Sequence, residues 1–402
     1  MVSGGAAAAV RRGHPWVFRE QVTAGLAEQS LGAIVTIVDA EGNPCARAVA
    51  DPASAIAARV WTLDPRRDVD AALMRERFEH ALRLRDTLMP GGVGEGGDGG
   101  ETTAMRWVHG EGDRMPGVVV DRYAHVAILR LDGEAMATFG ERLADVLFPV
   151  VAARGIRSIA LRSTHRGDTG PRAPREATRL RTLRGEDPPE VIAVTEHGMP
   201  FLVDLAHGQK TGAFLDQRDN RRRVRQLARG RRVLNLFSYA GGFSIAAALG
   251  GATACTSVDV AAAAHATAQA SVRHAGVDLD AHEFVTADVW RFLEQAARRG
   301  QRWDLVVSDP PNMAPSEASH PRALAAYRKL HAACVAVLAP GGIFCAASCS
   351  SHVSVADFVA TLDDEALGRS DLRIVEIAGA GPDHPVLAGF PEGRYLKFCV
   401  LG

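Results

Sequence analysis

The first seventy residues read as β-rich, with apolar and polar positions alternating weakly over Ala33–Val38. Ala33-Ile34-Val35-Thr36-Ile37-Val38 leads to the turn Glu41-Gly42-Asn43, and Ala46-Arg47-Ala48-Val49-Ala50 returns. With a further strand over Ala58–Leu63, this predicts a small β-rich domain. The period then lengthens. Leu73, Phe78, Ala81, Leu82 and Leu88 mark one face of a helix between Val69 and Leu88. Met89–Gly100 is Gly-rich and reads as a linker. Past it, strands are expected near Arg106–His109, Gly117–Asp121, Val126–Leu131, Ser158–Arg162 and Arg179–Leu183. A helix fits Glu141–Arg154 and a polar loop Gly167–Ala177, so this stretch reads as a central α+β unit.

From residue 191 the pattern changes again. A hairpin (Val191–Thr195, turn at His197-Gly198, Pro200–Leu205) precedes strand-like runs at Arg232–Phe237, Ala254–Val258, Glu283–Thr286, Trp303–Ser308 and Gly342–Ala347. Segments of helical length separate these runs, which predicts an α/β fold with a parallel sheet covered on both faces. The reading divides the chain into residues 1–68, a helix and linker over 69–100, residues 101–190, and residues 191–402.

A chain of 402 residues exceeds one comfortable core, which agrees with several domains. No apolar run approaches membrane-spanning length. Six cysteines (45, 255, 334, 345, 349, 399) form no C-x-x-C pair, so neither a disulfide framework nor a metal site is expected, and a reducing cytoplasm is the natural compartment. The net charge of −1 gives no general pull toward a polyanion. Basic clusters at Arg172, Arg175, Arg179, Arg181 and Arg184, and from Arg218 to Arg232, read equally as phosphate contacts or as solvated faces. Lysine is scarce: Lys210, Lys329 and Lys397 are the only three, which suggests sites that need a compact ammonium rather than a guanidinium.

The candidate chemistry gathers at strand ends. Trp303–Ser308 delivers Asp309-Pro310-Pro311-Asn312 to the carboxyl end of a predicted strand, where ligands of open α/β sheets bind. Two prolines stiffen the backbone and hold the Asp309 carboxylate toward the crevice, suited to a flat polar group. Earlier, the strand containing Asn235 runs into Ser238-Tyr239-Ala240-Gly241-Gly242, a glycine turn without the dinucleotide fingerprint. Asp259 ends the next strand, where an acid can bind a ribose diol, and Asp288 ends the third as Ala287-Asp288-Val289, placed to accept from an adenine amine. This order describes a nucleoside-type cofactor, and S-adenosyl-L-methionine, a sulfonium needing no phosphate cradle, fits it. Cys349, flanked by serines at the exit of the following strand, faces the same crevice as Asp309. A thiol there can act as a nucleophile, or be a buried apolar residue as Cys334, Cys345 and Cys399 are expected to be.

His207-Gly208-Gln209-Lys210-Thr211-Gly212-Ala213-Phe214-Leu215-Asp216-Gln217-Arg218-Asp219 resembles the signature of the ribosomal RNA large-subunit methyltransferase I family. The likeness continues through Arg12–Phe18, Ala58–Trp61, Met115–Arg122, Asp383–Pro385 and Phe390–Lys397. It implies an N-terminal PUA-like domain, a central α+β domain and a C-terminal Rossmann-like class I methyltransferase domain. It further implies S-adenosylmethionine-dependent methylation of cytosine C5 in 23S rRNA, and it leaves a homodimer open. By this resemblance Cys349 adds to C6 of a flipped cytosine and Asp309 holds the base edge. Phe214, Asn235, Ser238, Tyr239, Gly241, Asp259, Asp288 and Asp309 surround the cofactor, and Lys210, Arg218, Tyr327 and Lys329 contact RNA. The chain departs from the pattern twice. Only about ten Ala- and Gly-rich residues precede Arg11, where the family has a first strand, and Asn312-Met313 replaces a basic residue and Phe. Two other readings stand beside this one: an RNA guanine amino-group methyltransferase needing no thiol, and a noncatalytic RNA-binding ribosome assembly factor.

Overall fold

The computed structural model describes residues 1–89, 101–163 and 180–402. The linker expected over residues 90–100, the loop expected over 167–177, and Arg172, Arg175 and Arg179 lie outside these residues. Contacts divide the chain into two units: Met1–Ile192 with Asp204–Leu215 and Pro382–Gly393, and Ala193–Val203 with Asp216–Gly381 and Arg394–Gly402. Among the described residues no helix is long and apolar enough to cross a membrane.

The first unit contains two sheets. Strands β1 (Trp16–Phe18), β2 (Ile34–Val38), β3 (Pro44–Ala50) and β4 (Ile56–Thr62) form an antiparallel sheet in the order β1-β4-β3-β2. Ahead of it, the Ala-rich start forms helix α1 (Gly4–Arg11), with the Ser3 side chain accepting from the amide of Ala6. Ala6, Ala7 and Val10 are buried in one cluster with Val17, Ala46, Ala48 and Val60. Helix α2 (Ala71–Leu88) starts on Asp70, whose carboxylate accepts from the amide of Leu73. The second sheet, β5 (Ala104–His109), β6 (Val118–Tyr123), β7 (Val126–Leu131), β8 (Ser158–Arg162) and β9 (Leu180–Gly185), follows chain order, with β7 and β8 parallel. Short α3 (Glu134–Ala137) and α4 (Gly140–Ala152) connect those two parallel strands. Leu73, Phe78 and Leu82 of α2 share a core with Leu143 and Leu147 of α4 and with Trp61, Trp107, Val120 and Leu129.

Polar groups are also buried in this unit, and they are paired. Arg85 makes bidentate bonds of 2.5 and 2.7 Å to Asp113, and Arg106 bonds of 2.8 and 2.9 Å to Asp121. Asp121 also accepts from Thr211 at 2.6 Å, and the amide of Ala213 donates to Tyr123 Oη at 3.1 Å. A Cβ on Gly208 would stand 2.3 Å from the carbonyl oxygen of Asp204, so only glycine fits there. The residue types Gly208 and Thr211 are therefore explained by backbone packing and a buried hydroxyl.

The hairpin strands β10 (Val191–Glu196) and β11 (Met199–Asp204) form a separate two-stranded sheet. In the second unit, helix α5 (Arg218–Leu227) precedes β12 (Arg232–Leu236), α6 (Gly242–Leu249), β13 (Ala254–Asp259), α7 (Ala262–His274), β14 (His282–Thr286), α8 (Val289–Arg298), β15 (Trp303–Ser308), α9 (His320–Ala336), β16 (Leu338–Ser348), β17 (Ile374–Ala378) and β18 (Lys397–Leu401). The sheet order is β14-β13-β12-β15-β16-β18-β17. The first five of these strands are mutually parallel, whereas β18 runs antiparallel to both β16 and β17. The hydrophobic pattern predicts the five parallel strands, and β1, α1, β17 and β18 are additions to it.

Candidate active site

The sheet of the second unit reverses direction between β12, which leads out to β13 and β14, and β15, which leads to β16. A ligand crevice is expected at that point, beyond the strand ends. The β12–α6 turn there is tightly wound: Phe237, Tyr239 and Gly241 all have positive φ, of 57°, 45° and 75°. Left-handed geometry at two non-glycine residues is uncommon and occurs where surrounding bonds enforce it. Here the carboxylate of Asp259 accepts from the amides of Tyr239 (2.8 Å) and Ala261 (2.9 Å), tying the ends of β12 and β13 together. Gly241 packs against α7, where an added Cβ would lie 2.9 Å from Ala268 Cβ. Helix α6 starts on Gly241 without a side-chain cap, so its first-turn amides can receive an anionic group.

The other residues expected around the cofactor divide into lining and support. Asn235 is buried inside β12 and donates to Ser244 at 2.9 Å, and Ser244 is in turn 2.6 Å from Ser257. Ser238 is buried with its hydroxyl 3.3 Å from His265 Nε2. Both serve as supports under the turn. Asp288 is not the end of β14, which stops at Thr286; it caps α8, accepting from the amide of Arg291 at 3.0 Å, and it is exposed. Val260, 69% exposed beside Asp259, is an apolar surface that patterning did not single out. Phe214 belongs to the first unit, with the Lys210 ammonium 4.3 Å above its ring.

Asp309 and Cys349 come together because β15 and β16 run side by side, with Ser308 opposite Ala346. Cys349 Sγ lies 3.9 Å from the carbonyl oxygen of Pro310. Cys349 is half-exposed, whereas the other five cysteines are buried. Burial raises the thiols of Cys334 to about 12 and Cys399 to about 11, which keeps them protonated. Ser350 Oγ accepts from the amides of Met313 (3.1 Å) and Ala314 (3.3 Å), joining the segment after the prolines to the segment after Cys349. Asn312 is exposed and its side chain accepts from the amide of Ala314 at 2.9 Å.

Two of the expected RNA contacts are located elsewhere. Tyr327 is fully buried, donating to Ser348 Oγ at 2.8 Å with Ser350 Oγ at 3.0 Å, so it supports the cysteine segment and has no surface to offer RNA. Burial raises its phenol above the ordinary range, against the opposing effect of the hydrogen bonds to Ser348 and Ser350. Arg218 is 1% exposed at the start of α5, 3.3 Å from Asp219, and is likewise closed to RNA. The apolar character of helix α9's inner face explains Tyr327, and the paired Asp219 explains Arg218. Lys329 is exposed on α9, and Lys210 is half-exposed.

Lys397 is the residue that pattern reading undervalued. It is fully buried, and its ammonium donates to the carbonyl oxygens of Ser350 (2.6 Å), Val353 (2.8 Å) and Tyr395 (2.9 Å). Three hydrogens meet three acceptors, which a planar guanidinium could not reproduce. Burial pushes the amine down to about 8, and the negative charge of Cys349 acts in the opposite direction. The available signal was a lone lysine opening the apolar run Phe398–Leu401.

A glycine turn, an acid on the neighbouring strand and an uncapped helix start fit a nucleoside with an anionic tail. A family model for S-adenosylmethionine-dependent methyltransferases matches residues 148–392, and one for PUA-like domains matches residues 1–63. The chain thus combines a PUA-like domain with an S-adenosylmethionine-dependent methyltransferase domain of Rossmann-like class I architecture. The ribosomal RNA large subunit methyltransferase I of Shigella boydii serotype 18 is 36% identical over 96% of this chain and 94% of its own length. The enzymes of the same name from Escherichia coli O127:H6 and Enterobacter sp. strain 638 are 35% and 36% identical, with the same coverage. The chain belongs to the ribosomal RNA large subunit methyltransferase I family. Among solved structures, an S-adenosylmethionine-dependent methyltransferase from Streptococcus mutans superposes with a TM-score of 0.84 at 22% identity over 100% of both chains. A structure titled as a methyltransferase complexed with SAH gives the same TM-score and identity, covering 100% of this chain and 98% of that one. These two likenesses concern the fold.

Proposed function

We propose that this enzyme methylates C5 of a cytosine in large-subunit ribosomal RNA, in the cytoplasm, through a transient bond to Cys349. The observation that carries the reading is the half-exposed Cys349 sulfur packed against Pro310, beside the Asp309 carboxylate, where the sheet changes direction. S-adenosylmethionine, when bound, supplies an electrophilic methyl group. The β12–α6 turn, Asp259 and the exposed Val260 would hold it. Cytosine C5 is too electron-poor to accept that methyl unaided, and the protein's task is to enrich it.

In this reading Cys349 gives up its proton and the thiolate adds to C6, converting the C5–C6 double bond into an enamine-like system nucleophilic at C5. Asp309 receives the N3/N4 edge of the base, and the prolines keep its carboxylate still while charge redistributes. After C5 is methylated, loss of its proton restores the double bond and expels the thiolate from C6. Tyr327, Ser350 and Lys397 hold the cysteine and proline segments in register during these steps. We assign residues 1–68 and 101–190 to RNA contact and residues 191–402 to methyl transfer. Extruding a base costs a few kcal/mol, which RNA contacts elsewhere on the protein must offset.

The test is methyl mapping of 23S rRNA after reaction with wild-type enzyme and Cys349→Ala. Wild type should leave 5-methylcytosine at one position, and the variant none, while still binding S-adenosylmethionine. Full turnover by Cys349→Ala, or a product methylated on a guanine amine, would overturn the reading.

A further inference from the structure

The first unit contains a cavity of about 220 Å³ that methyl transfer does not use. Arg77 and Arg114 both line it, yet neither has a carboxylate within 4 Å among the described residues. That is unusual here, because the neighbouring arginines are paired: Arg59 with Glu111 at 2.9 Å, Arg67 with Glu76 at 2.8 Å, and Arg85 with Asp113. The acids at the cavity are already engaged. Glu111 accepts from Arg59 and from Trp16 Nε1 at 2.8 Å, and Asp64 accepts from the amide of Arg66 at 2.9 Å. Burial lowers the pKa of Arg77; the charge of Glu76 opposes this, and repulsion from Arg114 and Arg67 adds to it.

Two further features belong to the wall of the same cavity. Trp61 also lines it and is 1% exposed, and its indole N–H has no acceptor among the described residues. Indole nitrogen can only donate, so the group that satisfies it must be an acceptor. Arg114 is held in left-handed backbone (φ 55°) at the end of a short helical turn over Gly110–Asp113. Its guanidinium reaches back over Gly13, where an added Cβ would stand 3.6 Å from Nη2. Two unpaired, mutually repelling cations line a single half-open cavity, with one unsatisfied buried donor in its wall. Charged groups are gathered without partners where a ligand supplies the opposite charge.

We propose that this cavity is a phosphate-binding site, with Arg77 and Arg114 supplying the positive charge and the Trp61 indole one hydrogen bond. Its volume is below the roughly 300–1,000 Å³ of pockets that enclose a drug-sized ligand, so it takes a single phosphate group rather than a dinucleotide. The phosphate is either a phosphodiester of bound RNA or one carried by a free ion or mononucleotide, and the two sources are separable.

The experiment uses the full chain, Arg77→Gln/Arg114→Gln and Trp61→Phe, which replaces the indole and its N–H by a smaller apolar ring. Tryptophan fluorescence is titrated with sodium phosphate against sodium chloride of equal ionic strength. In parallel, affinity for a 20-nucleotide RNA is measured across salt concentrations. Wild type should show a saturable response specific to phosphate. The double arginine variant should lose it, and Trp61→Phe should weaken it about three- to tenfold. If the ligand is RNA, the double variant should also bind the oligonucleotide at least tenfold more weakly, with a log–log salt slope shallower by about 0.7–0.9 for the lost phosphate contact. If phosphate binds but the RNA slope is unchanged, the site takes free phosphate or a nucleotide. Absence of a phosphate-specific response in wild type, or full retention by Trp61→Phe and the double variant, would overturn the proposal.

Discussion

Replacing Lys397 by methionine tests how the cysteine segment is held. The substitution keeps the length and apolar character of the stem and removes three donors from the carbonyls of Ser350, Val353 and Tyr395. A hydrogen bond from a charged donor contributes about 1.5–3 kcal/mol, so three at the low end amount to roughly 4–5 kcal/mol. Burial of the thioether and partial turning of the freed carbonyls to solvent return some of this, leaving about 3 kcal/mol of local destabilisation. Amide hydrogen exchange across residues 348–353 reads that quantity directly, and about 3 kcal/mol corresponds to roughly a hundredfold faster exchange. Turnover should fall with it, because Ser350 also ties down the segment after Pro311. Lys397→Arg should not rescue, since a flat fork cannot aim donors at three carbonyls arranged around one nitrogen. Exchange within threefold of wild type in Lys397→Met would refute the argument and reduce the ammonium to a passenger.

Acid should destabilise the second unit through His331. Burial lowers its imidazole from 6.5 to about 4, so the stability tied to its neutral form is complete above pH 6.5 and is lost as pH falls toward 4. The loss reaches about 3 kcal/mol, and urea midpoints of His331→Gln should decline less steeply over that window than those of wild type. Tyr327→Phe removes the hydroxyl bonded to Ser348 and Ser350 and should cost about 1–2 kcal/mol, measured by urea unfolding, with turnover reduced and RNA affinity unchanged. Asp259→Ala releases the amides of Tyr239 and Ala261 and so loosens the β12–α6 turn; calorimetry should find S-adenosylmethionine binding weakened at least tenfold while RNA binding persists.

The parallel strands were legible because each is an apolar run bounded by turn residues, and Trp303–Ser308 and Ser158–Arg162 match the structure at both ends. Helix α1 was hidden by two glycines and a run of alanines, which carry little periodic signal; its burial against the first sheet and the Ser3 cap decide its form. Strand β17 alternates half-buried and exposed positions, but the exposed ones are the apolar Val375 and Ile377, so its sequence carries no apolar–polar period. The placement of Asp259, Asp309 and Cys349 at or just beyond strand ends was legible, because each closes an apolar run. The site was not legible where the same residue type has two uses. Asp288 caps a helix, and Tyr327 and Arg218 face inward; one-dimensional spacing cannot tell a buried hydroxyl or guanidinium from one reaching for RNA.

Strand β18 lies between β16 and β17, although it follows both in the chain. The edge strand β17 therefore has no neighbour to pair with until β18 has taken its place. Lys397, the first residue of β18, is also the residue that anchors the turn after Cys349. Order of assembly and competence are thus coupled. Until this strand is in place, the turn after Cys349 lacks its Lys397 anchor, and only the bonds of Tyr327, Met313 and Ala314 hold the cysteine segment.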